Sequence, residues 1–364
     1  MKQEKDTIEQ QKTKQTQQKQ ERYTATLLGC AVGDALGMPV EGMKHQQIKK
    51  YVGRVKKFID PVIVYDKDGK ELTKDEFGKL KSYTRDFKKG EYTDDTILTL
   101  ALAESLIAME GFDLDDIARR QVAEYTQRIR ADGSVFGGFG QTTIDGFKNI
   151  LAGKYPSESG VIGGPGNAPA MKMSPLGLYM DATGKYEEGL QFAEAVGRIT
   201  HLDPRSVASG VVQAHAVHSL LQDVSRNEFV QSLVDVCKRH EKALTKEFPL
   251  HDKGNLTSRL EWIAKNKDAP DPEAHKVLGS SSLVFQSYPF ALFMFQKYWN
   301  DPVEGLIETV NYGGDCDTTG AMYGALAGAK NGMIFPQEWI DVLQNRDKII
   351  KVGQKLYEMG GKNV

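Results

Sequence analysis

Two short stretches of this 364-residue chain carry acids in a pattern that could hold a cation. Thr93-Asp94-Asp95-Thr96 opens one apolar run, and Asp315-Cys316-Asp317-Thr318-Thr319-Gly320 opens another. Each alone reads as a helix start, because acids in a first turn meet the positive end of the helix dipole and threonine is a good N-cap. Together they read differently. If the two starts face each other, four carboxylates converge, and that many like charges do not stay ionised together without a cation. Hard oxygen donors with no cysteine or histidine partner suit magnesium or manganese rather than zinc, with Cys316 as a spacer. Two such ions roughly 3.5–4 Å apart would polarise substrate hydroxyls and activate a water. A calcium-loop reading of 315–326 fails, because Leu326 stands at the twelfth position, where a carboxylate is needed.

Acids can act only if the elements beneath them are rigid. Behind Asp317, Gly320, Gly324 and Gly328 recur every fourth position and share one helix face. Each costs roughly 1 kcal/mol against alanine inside a helix. Close approach of another backbone is the expected reason. Upstream, TATLLGCAVGDALGMPVEG reads as a buried helix to about Leu36, broken at Gly37-Met38-Pro39, with Asp34 inside its end and Glu41 just past it. Further helices are expected over 93–110, over 114–130 with Asp113 as cap, over 141–151 after the glycine turn 137–140, and over the aromatic stretch 281–299. Asp-Pro pairs at 203, 271 and 301 read as N-cap then N1, with Glu304 completing a capping box. Residues 157–169 and 248–269 read as loops. PVIVYDKDGKELT, with its Asp-Gly pair, reads as a surface hairpin insertion. Residues 1–22 are rich in lysine and glutamine and read as a polar extension, a disordered or frayed helical tail, with a solvent-exposed helix or a partner-binding arm as alternatives. The expected architecture is all-α: a single domain over 23–364 with a small β-hairpin insertion.

Composition narrows the function. A hydrophobic content of 40% supports a real core, and a formal charge of -2 argues against a nucleic-acid binder, which needs a basic face. No apolar run is long enough to cross a bilayer, and the N-terminus is not signal-like. Three scattered cysteines make neither a disulfide framework nor a zinc cage, so a reducing cytoplasm is the expected home.

GDALGMPVEG, YTDDT, the turn from Gly138 to Thr143, GNAPAMKMSPLG, ITHLDP and NYGGDCDTTGAMYGALAGA occur in an order that resembles the ADP-ribosylglycohydrolase family, over about 23–332. The resemblance implies an orthogonal all-α bundle that hydrolyses the C1″ bond of ADP-ribosylated side chains. It implies a binuclear magnesium centre, with manganese as the alternative ion, held by Thr93, Asp94, Asp95, Asp315, Asp317 and Thr318. Glu41 matches a glutamate on a mobile loop of the serine-type members and would act on water or the leaving group, with Asp95 and Asp315 as further catalytic carboxylates. Gly138, Gly140, Gly166 and Asn167 would cradle the diphosphate, and His201 would sit near the ribose. Asp34 would support the metal site from behind. The nitrogenase-type members carry an aspartate where this chain has Gly138, and the family's usual arginine after Ala-Met is Lys172. Some relatives are immunity proteins whose N-terminal extension plugs an ADP-ribosyltransferase toxin, which gives residues 1–22 an alternative role. A non-catalytic, crystallin-like descendant is a third reading, against which the intact acidic boxes count.

Overall fold

In the computed structural model, which describes residues 2–63, 86–250 and 254–363, the first element is one unbroken helix, α1 (Lys2–Gly37). The polar stretch 2–22 is therefore continuous with the buried segment that follows it. Lysine, glutamine and glutamate are good helix formers, and a packed turn removes the cost of nucleating them. A 3-10 turn (Met38–Val40) with Pro39 near its start ends α1. There follow α2 (His45–Tyr51), α3 (Asp94–Ala108), α4 (Leu114–Thr126), α5 (Gln141–Leu151), β1 (Val161–Ile162), α6 (Ala168–Met171), α7 (Ser174–Thr183), α8 (Tyr186–Arg198) and β2 (His201–Leu202). The second half is α9 (Pro204–Leu221), α10 (Arg226–Glu247), α11 (Leu256–Lys265), α12 (Asp271–Leu278), α13 (Val284–Lys297), α14 (Pro302–Asn311), α15 (Cys316–Asn331), α16 (Gln337–Val342) and α17 (Arg346–Glu358). The architecture is all-α. The hairpin expected over 61–73 falls mostly outside the described residues.

Three helices form the centre. α9 is buried at nearly every position and packs against α6, α7, α8, α10 and α15. α1 and α15 make the tightest pair. A methyl group at Gly324 would overlap the carbonyl of Gly29, one at Gly320 the carbonyl of Gly33, and one at Gly328 the carbonyl of Ala25. The relation is reciprocal, since Gly29, Gly33 and Gly37 face the carbonyls of Gly324, Gly320 and Cys316. The close approach expected at 320–328 is thus met by a second glycine ladder on α1, at the same spacing of four. Backbone touches backbone.

Several local expectations differ from what forms. Asp203 caps α9 as read, accepting from the amides of Arg205 and Ser206. Asp271 instead lies inside α12, whose N-cap is Pro270, and binds Lys297 and Tyr298. Asp301 makes no side-chain cap, and Glu304 turns away to Arg54. The stretch 248–269 contains a helix after all, α11, which buries Leu256, Leu260 and Ile263 along one face. A two-residue parallel pair, Val161–Ile162 with His201–Leu202, sets the residues before Gly163 beside His201.

Candidate active site

The starts of α3 and α15 do face each other. Thr318 Oγ1 donates to Asp95 Oδ2 at 3.3 Å across the gap between them. Oxygens of Asp34, Asp95 and Asp317 lie within 4.8 Å of one another, and so do those of Glu41, Asp315 and Asp317, all of them buried. These two groups share Asp317. They open onto a cavity of about 230 Å³ whose wall includes Glu41, Asp94, Asp95, Asp315, Asp317 and Thr318.

Asp34 explains how α3 can begin here. Thr93 is the N-cap residue, yet its side chain makes no capping bond. The carboxylate of Asp34, reaching from α1, accepts from the amides of Thr93 (3.0 and 3.1 Å) and Thr96 (3.1 Å) and from both hydroxyls, at 3.0 and 2.6 Å. It is a cap supplied from another helix, and sequence-local capping rules could not find it. Both its oxygens are occupied, so it supports the cluster rather than offering free donors. Thr93 Oγ1 also donates to Asp95 Oδ2 at 3.0 Å.

Burial dominates the electrostatics. Desolvation pushes the Asp34 carboxyl up to about 6, opposed by the bonds from Thr96 and Thr93. Asp95 is raised well above the usual carboxylate range, first by burial and then by the charges of Asp34, Asp94 and Asp315. Asp95 Oδ1 is buried and has no hydrogen-bond partner among the described residues. An orphaned carboxylate oxygen is costly unless something satisfies it. Together with a set of hard oxygens, it fits a magnesium-like cation.

The remaining candidates line the same cavity. Asn167 Nδ2 donates to Asp315 Oδ2 at 2.6 Å and to Ser287 Oγ at 3.0 Å, which fixes the Asp315 carboxylate. The glycine turn is pinned to the acids, because the amide of Asp94 donates to the carbonyl of Gly137 at 2.7 Å. Gly138 has φ +93°, and a Cβ there would lie 2.9 Å from Asp94 Oδ1, so any side chain at this position would displace that acid. Gly140 is the N-cap residue of α5, with open space where a Cβ would be. Gly166 is packed against the His201 ring: a Cβ would sit 2.6 Å from Nε2. His201 is buried, bonds Thr200 Oγ1 at 2.8 Å, and is pushed down to about 3 by burial and by Lys172. It is therefore a neutral imidazole and brings no positive charge to a phosphate.

Lys172, whose meaning could not be read from the sequence, is fully buried with its Nζ 2.9 Å from Gln121 Oε1. Burial pushes it down to about 7, and the charge of Asp94 resists that shift. Lys172 is thus a buried amine coupled to Asp94, one of the acids that line the cavity.

A model of the ADP-ribosylglycohydrolase family matches residues 15–363. An uncharacterized protein of Archaeoglobus fulgidus is 27% identical over 340 residues, covering 93% of this chain and 97% of the relative. The mouse ADP-ribosylhydrolase ARH3 is 29% identical over 295 residues, covering 74% of this chain and 77% of its own length. A solved structure titled ADP-ribosylglycohydrolase-related protein complex superposes with a TM-score of 0.68 at 26% identity, covering 94% of this chain and 99% of that one.

Proposed function

Because the chain belongs to the ADP-ribosylglycohydrolase family, we propose that it hydrolyses the C1″ glycosidic bond of ADP-ribosylated proteins, with two magnesium ions, and releases ADP-ribose. The observation that carries this reading is the convergence of five buried carboxylates at one cavity, those of Glu41, Asp94, Asp95, Asp315 and Asp317, with Asp95 Oδ1 left unpartnered among the described residues. Thr93, Asp94, Asp95, Asp315, Asp317 and Thr318 are the residues that would hold the ions. Bound there, magnesium would neutralise the carboxylates and supply Lewis-acid charge toward the ribose hydroxyls.

The chain's own groups divide the rest of the work. Glycoside cleavage passes through an oxocarbenium-like state, which carboxylates beside the sugar ring stabilise. Glu41 is 3% exposed and shares its oxygen cluster with Asp315 and Asp317. From there it takes a proton from the attacking water or gives one to the leaving group. Asn167 holds Asp315 in one orientation. Amides of Gly138, Gly140 and Gly166, unshielded by side chains, receive the diphosphate, and neutral His201 offers a hydrogen bond without charge.

Release of ADP-ribose from serine-, arginine- and nucleotide-linked substrates, measured with and without magnesium, tests the proposal. Turnover of one of them should need magnesium and vanish in Asp315→Ala. Equal turnover in that variant would overturn the mechanism.

A further inference from the structure

We propose that Tyr312 is a positioning residue for Glu41: its ring, packed against both His45 and His275, locks the Glu41 segment onto the turn that carries Asp315. The inference rests on the assignment of Glu41 to proton transfer.

Three chain segments meet behind the acid cluster, and each brings one part of the cavity wall. Residues 41–44 bring Glu41, Gly313-Gly314-Asp315 bring the acid of the α15 start, and residues 280–283 bring Ser282 and Leu283. Backbone bonds stitch them. The amide of Gly42 donates to the carbonyl of Gly314 at 2.7 Å, and the amide of Gly314 to that of Met43 at 2.8 Å. On the other side, the amide of Asp315 donates to the carbonyl of Ser280 at 2.7 Å. These contacts leave no room for error, since a Cβ at Gly313 would overlap the Met43 carbonyl and one at Gly314 the Ser280 carbonyl.

The rings join the same three segments through side chains. His45 opens α2, directly after the Glu41 segment, and stacks on Tyr312 with centroids 4.9 Å apart and planes 19° from parallel. Its Nδ1 lies 2.8 Å from the Asn311 carbonyl. Tyr312 also meets His275 at 5.0 Å and Phe290 at 5.4 Å. His275 Nε2 lies 2.9 Å from Ser280 Oγ, on the residue whose carbonyl holds Asp315. Tyr312 is 7% exposed and does not line the cavity. It acts through others. Ring contacts of this geometry add a modest stabilisation beyond area burial. That is small against the whole fold, yet it is concentrated on one short connection between a 3-10 turn and a seven-residue helix.

The test compares Tyr312→Ala, Tyr312→Phe and His45→Ala in the full chain. Hydrogen–deuterium exchange is read over residues 41–51, together with turnover of serine- and arginine-linked ADP-ribosyl peptides. Tyr312→Ala should speed exchange in 41–51 while the α1–α15 pair stays protected. It should also lower kcat roughly 10- to 100-fold, the scale on which small misplacements act, with KM changed far less. Tyr312→Phe keeps the ring and should restore both readouts. Unchanged exchange in 41–51 for Tyr312→Ala overturns the proposal. If Tyr312→Ala exchanges fast everywhere, His45→Ala decides: faster exchange confined to 41–51 supports the clamp, and none overturns it. Should the wild type cleave neither peptide, the exchange result still decides the clamp, and only the reaction assigned to the site is lost.

Discussion

The starts of α3 and α15 carry nearly the same residues and are held in opposite ways. Asp94 and Asp95 stand on a helix start fixed by charge, where the buried Asp34 carboxylate gathers the amides and hydroxyls of Thr93 and Thr96. Asp315 and Asp317 stand on a start fixed by shape. Glycine carbonyls of α1 press into the glycines of α15, and a Cβ at Gly37 would overlap the backbone of Cys316 and Asp317. The first mounting answers to protons and ions. The second answers only to volume. The two mountings meet at one cluster, where Asp95 and Asp317 lie together.

Volume should give the largest effect. Gly324→Val drives a side chain into the Gly29 carbonyl, and backbone there cannot repack as a core side chain would. Overpacking costs about 1–3 kcal/mol in ordinary cores. The expected loss here is about 3 kcal/mol or more by urea unfolding, with magnesium giving little rescue. A loss below about 1 kcal/mol would break the contrast.

Removing the charge mounting should cost less globally and more locally. Asp34→Ala leaves the buried amides of Thr93 and Thr96 without their acceptor, worth about 1–3 kcal/mol. It also removes a buried charge, which offsets part of that cost. Magnesium affinity by calorimetry should fall clearly more than stability does. A variant that kept full affinity would show that α3 needs no cap to present its acids.

The smallest effect is a matter of pH. The Asp34 pKa in the fold is about 6, above its ordinary value of 3.8. The folded state therefore keeps a proton that the unfolded chain has shed, so this group's contribution to stability is lost as pH rises from about 4 through 6. Asp95 is shifted in the same direction. A bound cation reverses the loss, so the gain in Tm on adding magnesium should be larger at pH 8 than at pH 5, by about 5 °C at saturating metal. Equal gains at both values would sharpen the view toward a shape-only mounting.

Much of this was legible in residue types. The two acidic boxes name themselves, and the ladder at Gly320, Gly324 and Gly328 announced a close neighbour. Its counterpart at Gly29, Gly33 and Gly37 has the same spacing but lies in an apolar run where glycine draws less notice. Asp34 could be placed near the site, yet its capping role joins residues 59 and 62 positions apart, and no local rule spans that distance. α11 was hidden because its three buried residues are spaced among Thr257, Ser258, Arg259 and Glu261 in an otherwise polar stretch. The Tyr312 stack joins three distant segments, and only the folded chain brings them together.

One consequence of the glycine seam concerns sulfur chemistry. Cys30 sits beside Gly29 among Ala321 and Ala325, and Cys316 sits at the end of the seam with its thiol on the Gly37 carbonyl. Both are fully buried, and burial holds both thiols far above their ordinary range, so neither offers a thiolate to an electrophile. Alkylating reagents should leave both thiols of the folded protein untouched. Each labelling event at these two positions would mark a moment when the helices part, which makes the pair a built-in clock for the opening of the seam.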